Sequence, residues 1–197
     1  MSNLSEVFDD IYRHDRWGNG SGPGSQIEVA RGVVDYVNES IIRHDCKALL
    51  DIGCGDGQLA SHLVVTNYLG VDVSMEALNR FRSRTSKPTV CMDAEMGRWN
   101  FDAVLIKDVL QHLPFEACRK LLLSVSKCQR IWVINDTPEA GWVQPLSVQD
   151  CTAGSYRPID PSVLIRGFQK RKVFLVRGFV KTLWEWTPNA GEAPIGR

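Results

Sequence analysis

The chain lacks the features that mark membrane, secreted and nucleic-acid-binding proteins. No apolar run among its 197 residues is long enough to cross a bilayer, and its first residues contain no basic segment followed by an apolar one. Lys and Arg together number 23, as do Asp and Glu, so the formal net charge is zero. This balance disfavours a protein that holds long nucleic acid by its phosphates.

The cysteines also lack a recognisable pattern. Six are scattered along the chain, at Cys46, Cys54, Cys91, Cys118, Cys128 and Cys151. No two of them form a Cys-x-x-Cys pair, which argues against a zinc knuckle and against a disulfide framework. Together with the missing signal segment, this spacing predicts a reduced, cytoplasmic protein without a membrane partner.

Apolar runs and helical patterns alternate along most of the chain. Short apolar runs typical of strands occur at residues 48–52, 68–73, 89–92, 101–106 and 130–135. Helical patterns occur at residues 27–43, 59–65, 75–84 and 115–126. Strands that alternate with helices in this way predict a parallel sheet covered on both faces.

The end of the chain departs from this alternation. Two β-rich runs, 172–176 and 180–186, are separated only by residues 177–179 and predict an antiparallel pair. The predicted fold class is therefore α/β, a three-layer α/β/α sandwich with a seven-stranded, mostly parallel sheet and an antiparallel C-terminal strand. With 44% hydrophobic residues the chain can form one sizeable core, so we expect a single domain over residues 1–197, with 188–197 as a frayed tail.

Two segments are rich in glycine. The first, residues 17–25, precedes Ser25-Gln-Ile-Glu28, whose spacing predicts a capping box at the start of the helix that runs to about Arg43. The second, Asp51-Ile-Gly-Cys-Gly-Asp-Gly57, follows the first strand, where doubly wound sheets bind ligands. We call residues 17–25 the N-terminal loop and residues 51–57 the glycine loop.

An acidic residue lies one predicted helix and one predicted strand beyond the glycine loop. Asp72 ends the next predicted strand, where its carboxylate can accept hydrogen bonds from both hydroxyls of a ribose. A nicotinamide enzyme would satisfy the same geometry, but its loop usually reads Gly-x-Gly-x-x-Gly. Here the glycines fall at every second position, and Asp51 and Asp56 suit a sulfonium and an ammonium better than a pyrophosphate.

Together these segments resemble the class I S-adenosylmethionine-dependent methyltransferases. Residues 51–57 are similar to the first motif of that family, and Asp72 matches its ribose-binding acid. Asp93 matches the polar residue that contacts the adenine amino group, and residues 101–114 match the motif that passes beneath the sulfonium. The resemblance covers roughly residues 48–135, and it implies S-adenosyl-L-methionine as the cofactor.

The predicted cofactor contacts combine the family motifs with the N-terminal loop. They are Asp51, Gly53, Cys54, Gly55, Asp72, Val73, Asp93, Ala94, Lys107, Trp17, Ser21, Gly22 and Ser25. Residues 1–25 are interpreted as a lid, because the helix that follows would offer partial positive charge to the cofactor carboxylate. The alternatives are a flexible linker for the lid, a helix cap for Asp72 and an ordinary surface position for Asp93.

The predicted catalytic residues are His112 and Asp108, which follow the fourth predicted strand. A neutral His112 can accept a proton near pH 7, although a purely structural hydrogen bond is the alternative. Asp108, Asn135 and Asp136 could instead supply oxygen ligands to Mg²⁺. No metal is expected, because the local pattern around Asp108 resembles that of metal-free members of the family.

The predicted substrate-binding residues are His14, Asn135, Tyr156 and Arg157. Arg157 could hold an acidic group of the acceptor or form a surface ion pair. The chain contains neither the Pro-Pro-Tyr motif of amino-methylating DNA enzymes nor a Pro-Cys pair for attack on cytosine. We therefore expect methyl transfer to an oxygen or nitrogen of a small molecule, such as a sugar or another metabolite. The alternatives are a nucleic-acid end, a protein side chain and a catalytically silent cofactor-binding subunit.

Overall fold

The structure is a computed structural model that describes residues 4–145, 148–176 and 178–187. Its strands are β1 (Ala48–Ile52), β2 (Asn67–Asp72), β3 (Thr89–Cys91), β4 (Ala103–Lys107), β5 (Arg130–Asp136), β6 (Gln169–Val176) and β7 (Phe179–Trp186). Its α-helices are α1 (Leu4–Arg13), α2 (Ile27–Arg43), α3 (Met75–Arg84) and α4 (Phe115–Ser124). Short 3₁₀ turns lie at Pro23–Ser25, Ala60–His62, Ala94–Met96, Leu110–His112 and Pro161–Val163.

The strands form one seven-stranded sheet in the order β3-β2-β1-β4-β5-β7-β6, flanked by helices. The sheet is mostly parallel, and β7 pairs antiparallel with both β5 and β6. The α/β fold predicted from the alternating pattern is therefore confirmed. The predicted frayed tail, residues 188–197, lies outside the described residues.

The chain divides into two compact units, Met1–Ala94 and Glu95–Arg197. In the first, β1, β2 and β3 pair in parallel, with Asp51 opposite Gly70 and Asp72 opposite Cys91. This register brings the carboxyl ends of the strands, and the loops that follow them, to one edge of the sheet. That edge is where a parallel sheet offers its ligand site.

A helix that the sequence pattern did not reveal opens the first unit. The apolar residues Phe8, Ile11 and Tyr12 of α1 share one helical face and are buried. Asp9 lies on the same helix, and its Oδ1 accepts hydrogen bonds from the Ser74 hydroxyl at 2.7 Å and the Glu76 N–H at 3.1 Å. These bonds attach α1 to the first turn of α3, where a negative charge stabilises the helix dipole.

The capping box predicted at Ser25 is wrong. Pro23 begins a 3₁₀ turn that Ser25 completes, with the Ser25 N–H donating to the Gly22 carbonyl at 3.1 Å. The chain then extends at Gln26, which becomes the N-cap of α2 without a side-chain capping bond. The serine therefore belongs to the preceding turn, because the proline fixes where that turn begins.

The helix predicted over residues 59–65 is also wrong, since only a 3₁₀ turn forms there. The side chain of Asn38 donates to the His62 carbonyl at 3.0 Å and accepts from the Val64 N–H at 2.9 Å. These bonds satisfy backbone groups that a helix would otherwise pair. β-branched residues follow immediately, and such residues favour extended chain.

In the second unit, β6 and β7 form an antiparallel pair, as predicted. β4 and the middle of β5 are almost fully buried, which is typical of parallel strands covered on both faces. β6 forms the edge of the sheet, and its basic residues 170–172 are exposed. Exposed charge on an edge strand disfavours pairing with a further strand.

Hydropathy places a further limit on the molecule. Across the described ranges, none of the helices combines the length and the apolar character that a bilayer-spanning segment requires.

Phe81 provides a test of the packing that supports the glycine loop. Its side chain is fully buried, and a Cβ added at Gly57 would come within 2.9 Å of its ring. We expect Phe81→Ala to lower the free energy of unfolding by about 3–5 kcal/mol, measured by urea denaturation. Leu123→Ala is the control, because Leu123 is half exposed and its loss should cost less than about 1 kcal/mol. Equal effects of the two changes would contradict this account of the core.

Candidate functional site

The glycine loop turns sharply at the end of β1. Gly53 and Gly55 have φ values of 68° and 57°, in the left-handed region that favours glycine. The N–H groups of Gly53 and Cys54 donate to the Val71 carbonyl at 2.8 and 3.2 Å. The loop is therefore fixed to the neighbouring strand rather than mobile above it.

Asp72 ends β2 beside this loop, as its spacing predicts. Its Oδ2 accepts from the Gly55 N–H and its Oδ1 from the Ser74 N–H, both at 2.9 Å. The carboxylate thus joins the glycine loop to the start of α3, where the Ser74 hydroxyl accepts from the Ala77 N–H. Burial raises the pKa of Asp72 to about 6, although the backbone N–H donors oppose the rise.

The side chains of Asp51 and Cys54 both contact β2. Asp51 is buried and accepts a hydrogen bond from the Tyr68 hydroxyl at 2.7 Å. The Cys54 thiol lies over Gly70, where an added Cβ would meet its Sγ at 2.8 Å. Burial, followed by the nearby carboxylates, raises the pKa of this thiol well above its ordinary value.

The N-terminal loop is docked on the glycine loop. The Ser21 hydroxyl donates to Asp56 Oδ1 at 2.8 Å and accepts from the Asp56 N–H at 3.1 Å. It also lies 2.8 Å from the Tyr12 hydroxyl. A Cβ added at Gly55 would collide with the Ser21 hydroxyl and lie 2.8 Å from that of Tyr12. The absence of a side chain at Gly55 therefore allows the two loops to meet.

Further contacts hold the N-terminal loop in place. Asp56 is buried and also accepts from Gln58 at 3.2 Å and from Arg84 at 3.3 Å. The Trp17 ring packs edge-on against Phe8 and Tyr12, with ring centroids 5.9 and 5.8 Å apart. The loop is thus an ordered part of the first unit.

Two more predicted cofactor residues, Gly22 and Ser25, and the predicted substrate residue His14 can also be placed. Gly22 adopts φ 82° and ψ 165°, a conformation almost restricted to glycine, and a Cβ there would lie 3.5 Å from Trp17. Ser25 is buried at the end of its turn. His14 is exposed directly after the end of α1, and its Nδ1 is 2.9 Å from an Asp10 carboxylate oxygen.

The remaining predicted contacts of the first unit follow β2 and β3. The Val73 carbonyl accepts a weak bond from the Cys91 thiol at 3.7 Å. The Met92 N–H donates to the Asp72 carbonyl at 3.0 Å, so the two strand ends stay together. Asp93 is half-buried in the turn that follows, and Ala94 is buried. The structure therefore brings both residues to the same edge as Asp72.

The second unit contains four alternating charges, which we call the charged cluster: Lys107, Asp108, Asp136 and Lys181. Lys181 Nζ lies 2.8 Å from Asp108 Oδ2 and 2.6 Å from Asp136 Oδ1, and Lys107 also bonds Asp108. Both lysines are buried. Sequence reasoning missed Lys181, because a lone lysine in an apolar strand carries no motif.

This cluster determines what Asp108 can do. Burial raises the pKa of the Asp108 carboxyl, but Lys107 and Lys181 outweigh it and lower the pKa to about 2. An ionised carboxylate bonded to two ammonium groups is a poor general base near pH 7. Asp108 also has φ 57°, which is uncommon for a residue with a side chain, and its N–H donates to the Ile134 carbonyl at 2.7 Å.

The alternative metal site does not assemble around these residues. Lys181 places its ammonium between the Asp108 and Asp136 carboxylates, where a cation would otherwise lie. Asn135 is fully buried, and its side-chain amide donates to the Ile159 carbonyl at 3.3 Å. Within the described ranges, no cluster of three or more His, Cys, Asp and Glu side chains could hold a metal ion.

His112 ends the 3₁₀ turn after β4. Its Nδ1 lies 2.8 Å from the Ser155 carbonyl, which can only accept, so Nδ1 carries the proton in this bond. The Gln111 side-chain nitrogen lies 3.3 Å from Nε2. Burial lowers the pKa of His112, which favours the neutral ring at pH 7. The structural hydrogen bond and the capacity to accept a proton therefore use different nitrogens of one ring.

Tyr156 and Arg157 follow Ser155 but face different surroundings. Tyr156 is 54% exposed, and its ring centroid is 6.0 Å from that of His112. Arg157 is buried and donates to the Leu110 carbonyl at 3.1 Å and the Leu113 carbonyl at 2.6 Å. Arg157 therefore fastens its own loop to the turn that carries His112, and its guanidinium has little surface for a substrate.

Comparison with known proteins agrees with this geometry. Residues 50–130 match the family model described as a methyltransferase domain. The segment that contains the glycine loop, Asp72 and His112 is thus similar to methyltransferase domains. The residues fit S-adenosylmethionine as a cofactor, since the Asp72 carboxylate lies beside a turn of glycines, where it could accept from the hydroxyls of a ribose.

Solved structures share the fold of this chain. Magnesium protoporphyrin IX methyltransferase (ChlM) from Synechocystis PCC 6803 with bound SAM has a TM-score of 0.64 at 16% identity, over 94% of this chain and 96% of that one. N-methyltransferase NodS from Bradyrhizobium japonicum WM9, in complex with S-adenosyl-L-homocysteine, has a TM-score of 0.64 at 14% identity, over 94% and 98%. No curated protein sequence matches the chain.

Gly55 offers a direct test of the contact between the two loops. We expect Gly55→Ala to release the N-terminal loop, because the new methyl group would meet the Ser21 and Tyr12 hydroxyls. Hydrogen exchange across residues 17–25 should accelerate. Gly178→Ala is the matched control, since Gly178 also has a positive φ but has no atom within 4 Å of an added Cβ. Unchanged exchange in Gly55→Ala would contradict the docking.

The pKa of Asp72 predicts how cofactor binding depends on pH. Only the ionised carboxylate can accept from both ribose hydroxyls, so affinity should rise as pH rises through the pKa of about 6. For S-adenosylhomocysteine, calorimetry should find binding about tenfold weaker at pH 5 than at pH 8. Asp72→Asn should bind weakly at both values. A wild-type affinity independent of pH would remove Asp72 from the ribose site.

Proposed function

We propose that this protein is a class I S-adenosylmethionine-dependent methyltransferase, that it transfers a methyl group to a hydroxyl oxygen of an uncharged small molecule, and that His112 accepts the proton. The observation that carries the proposal is the ring of His112, which is held by Ser155 through Nδ1 and is neutral because burial lowers its pKa. Such a ring keeps a basic lone pair on Nε2. A nitrogen acceptor, which can lose its proton after the transfer, depends less on such a base.

In this proposal, different residues bind the cofactor and accept the proton. S-adenosylmethionine, when bound, supplies an activated methyl group on a good leaving group. Asp72 and the glycine loop bind and orient the cofactor, while His112 Nε2 takes the proton of the attacking hydroxyl. Positioning and exclusion of water account for most of the remaining acceleration. Asp108 transfers no proton in this proposal, because two lysines hold it ionised.

The charge of the second unit supports an uncharged acceptor. The charged cluster contains two lysines and two aspartates, so its charges cancel, and His112 adds none while it is neutral. Tyr156 is half exposed beside His112 and offers a ring face to an acceptor. Neither feature favours the phosphates of a nucleic-acid end. The enzymes of similar fold are named for different acceptors, so the comparison does not select an acceptor for this chain.

The N-terminal loop is proposed as the lid of the cofactor site. Its bonds to Asp56 and its contact with Gly55 support this, because they place it against the loop that would bind the cofactor. A lid of this kind would exclude water and slow the release of the cofactor. Deletion of residues 1–24 should therefore weaken binding of S-adenosylhomocysteine more than it destabilises the sheet.

A variant of His112 tests the proposed base. We expect His112→Asn to lower kcat by about 10²- to 10⁴-fold toward an uncharged hydroxyl acceptor, found by screening phenols and sugars for release of S-adenosylhomocysteine. Affinity for S-adenosylhomocysteine should not change. EDTA should not reduce the wild-type rate, because Lys181 occupies the position between the carboxylates.

His44→Asn is the matched control, since His44 is exposed directly after α2 and its replacement should leave kcat unchanged. Wild-type kcat in His112→Asn would refute the assignment of the base. Activity lost with EDTA and restored by Mg²⁺ would instead promote Asp108 and Asp136 to metal ligands. Cofactor binding without turnover of any acceptor in the panel would favour the catalytically silent subunit.

A further inference from the structure

The methyl transfer described above leaves the most deeply buried lysine of the second unit without a function. Lys181 lies on β7 and is only 1% exposed. Its ammonium bonds both Asp108 and Asp136, at the ends of the neighbouring strands. Burial lowers the pKa of Lys181, but the two carboxylates outweigh it and raise the pKa, so the group is charged. A buried ion pair of this kind fixes the position of its members more reliably than it adds stability.

Asp136, held by Lys181, in turn orients the side chain of Gln111. The backbone N–H of Asp136 donates to Gln111 Oε1 at 2.8 Å. This bond identifies which end of the side-chain amide is oxygen, because an N–H group requires an acceptor. Gln111 Nε2 must then face the other way, where it lies 3.5 Å from Asp136 Oδ2 and 3.3 Å from His112 Nε2. Gln111 itself is buried, so water does not compete freely for this amide.

The two neighbours of His112 together select one tautomer of its ring. The Ser155 carbonyl accepts at Nδ1, so Nδ1 must carry the proton. The Gln111 amide donates at Nε2, so Nε2 must present its lone pair. This is the neutral form in which Nε2 can accept a proton.

We propose that Lys181, Asp136 and Gln111 act as positioning residues that hold His112 in the tautomer with a lone pair on Nε2. The proposal rests on the function proposed above, since the tautomer matters to the reaction only if His112 is the base. None of the three needs to touch the acceptor. Their effect reaches the ring through the Gln111 amide and the charges near it.

The charges that act on His112 are those of Asp108, Asp136 and Lys181. Asp108 and Asp136 favour the protonated ring, and Lys181 opposes it. From residues 150–157 the ring faces the Ser155 carbonyl and the ring of Tyr156, whose pKa is raised by burial. Loss of the Lys181 charge should therefore make His112 more basic.

The decisive variant is Gln111→Glu. One carboxylate oxygen can still accept from the Asp136 N–H, but the other cannot donate to His112 Nε2 and would accept from it. Because Ser155 also requires a proton on Nδ1, the ring should become doubly protonated, and its pKa should rise by about one pH unit. Gln129→Glu is the matched control, since Gln129 is exposed and its side-chain amide donates to Asp102.

Nitrogen-15 NMR of the His112 ring in the full chain, without cofactor or acceptor, measures both the tautomer and the pKa. We expect the wild type to carry its proton on Nδ1, Gln111→Glu to raise the pKa, and Gln129→Glu to match the wild type. Lys181→Met should also raise the pKa and populate the other tautomer, whereas Lys181→Arg should restore the wild-type signal. Lys120→Met, at an exposed lysine of α4, controls for the loss of a positive charge.

Wild-type tautomer and pKa in a folded Gln111→Glu protein would overturn the proposal, whatever Lys181→Met does to folding. The measurement also separates this inference from the proposed reaction. If the ring responds as expected but His112→Asn retains full kcat, the positioning is correct and the base is another group. If His112→Asn is inactive but the ring ignores Gln111, the base is correct and this positioning is wrong.

Discussion

The carboxylate of Asp72 is the group on which the arrangement of the first unit around the glycine loop depends. It is buried at the end of a strand, and an unpaired charge there would be costly. Its two oxygens accept from the N–H groups of Gly55 and Ser74, so one side chain joins the glycine loop, β2 and α3. Burial nevertheless raises its pKa to about 6, which leaves its ionisation sensitive to the solution near neutral pH.

In the second unit, carboxylates are paired with lysine ammonium groups instead of backbone N–H groups. Asp108 and Asp136 end neighbouring strands, and Lys181 joins them from a third. Removing one member of such a group would leave a buried charge without a partner, at a cost of several kcal/mol. The same arrangement keeps Asp108 ionised and makes it a poor base. The neutral ring of His112, by contrast, keeps a lone pair that can accept a proton.

The sequence predicted the elements whose signals are local. The strand over 48–52 and the helix over 75–84 depend on short local patterns of apolar residues, and both form as expected. The capping box at Ser25 and the helix at 59–65 failed because more distant residues intervene. Pro23 fixes a turn that absorbs the serine, and Asn38 supplies hydrogen bonds that replace those of a helix.

The sequence by itself determined the fold class, the glycine loop and the acid that follows it. Strand polarity and the length of one crossover constrain these features, so Asp72 had to end its strand near Gly55. Only the tertiary structure decided that Ser21 and Tyr12 meet Gly55, that Lys181 joins Asp108 to Asp136, and that Arg157 turns inward. These contacts join residues far apart in the chain through buried polar groups. No local pattern encodes them, because their partners are chosen by burial and the need to satisfy each buried charge.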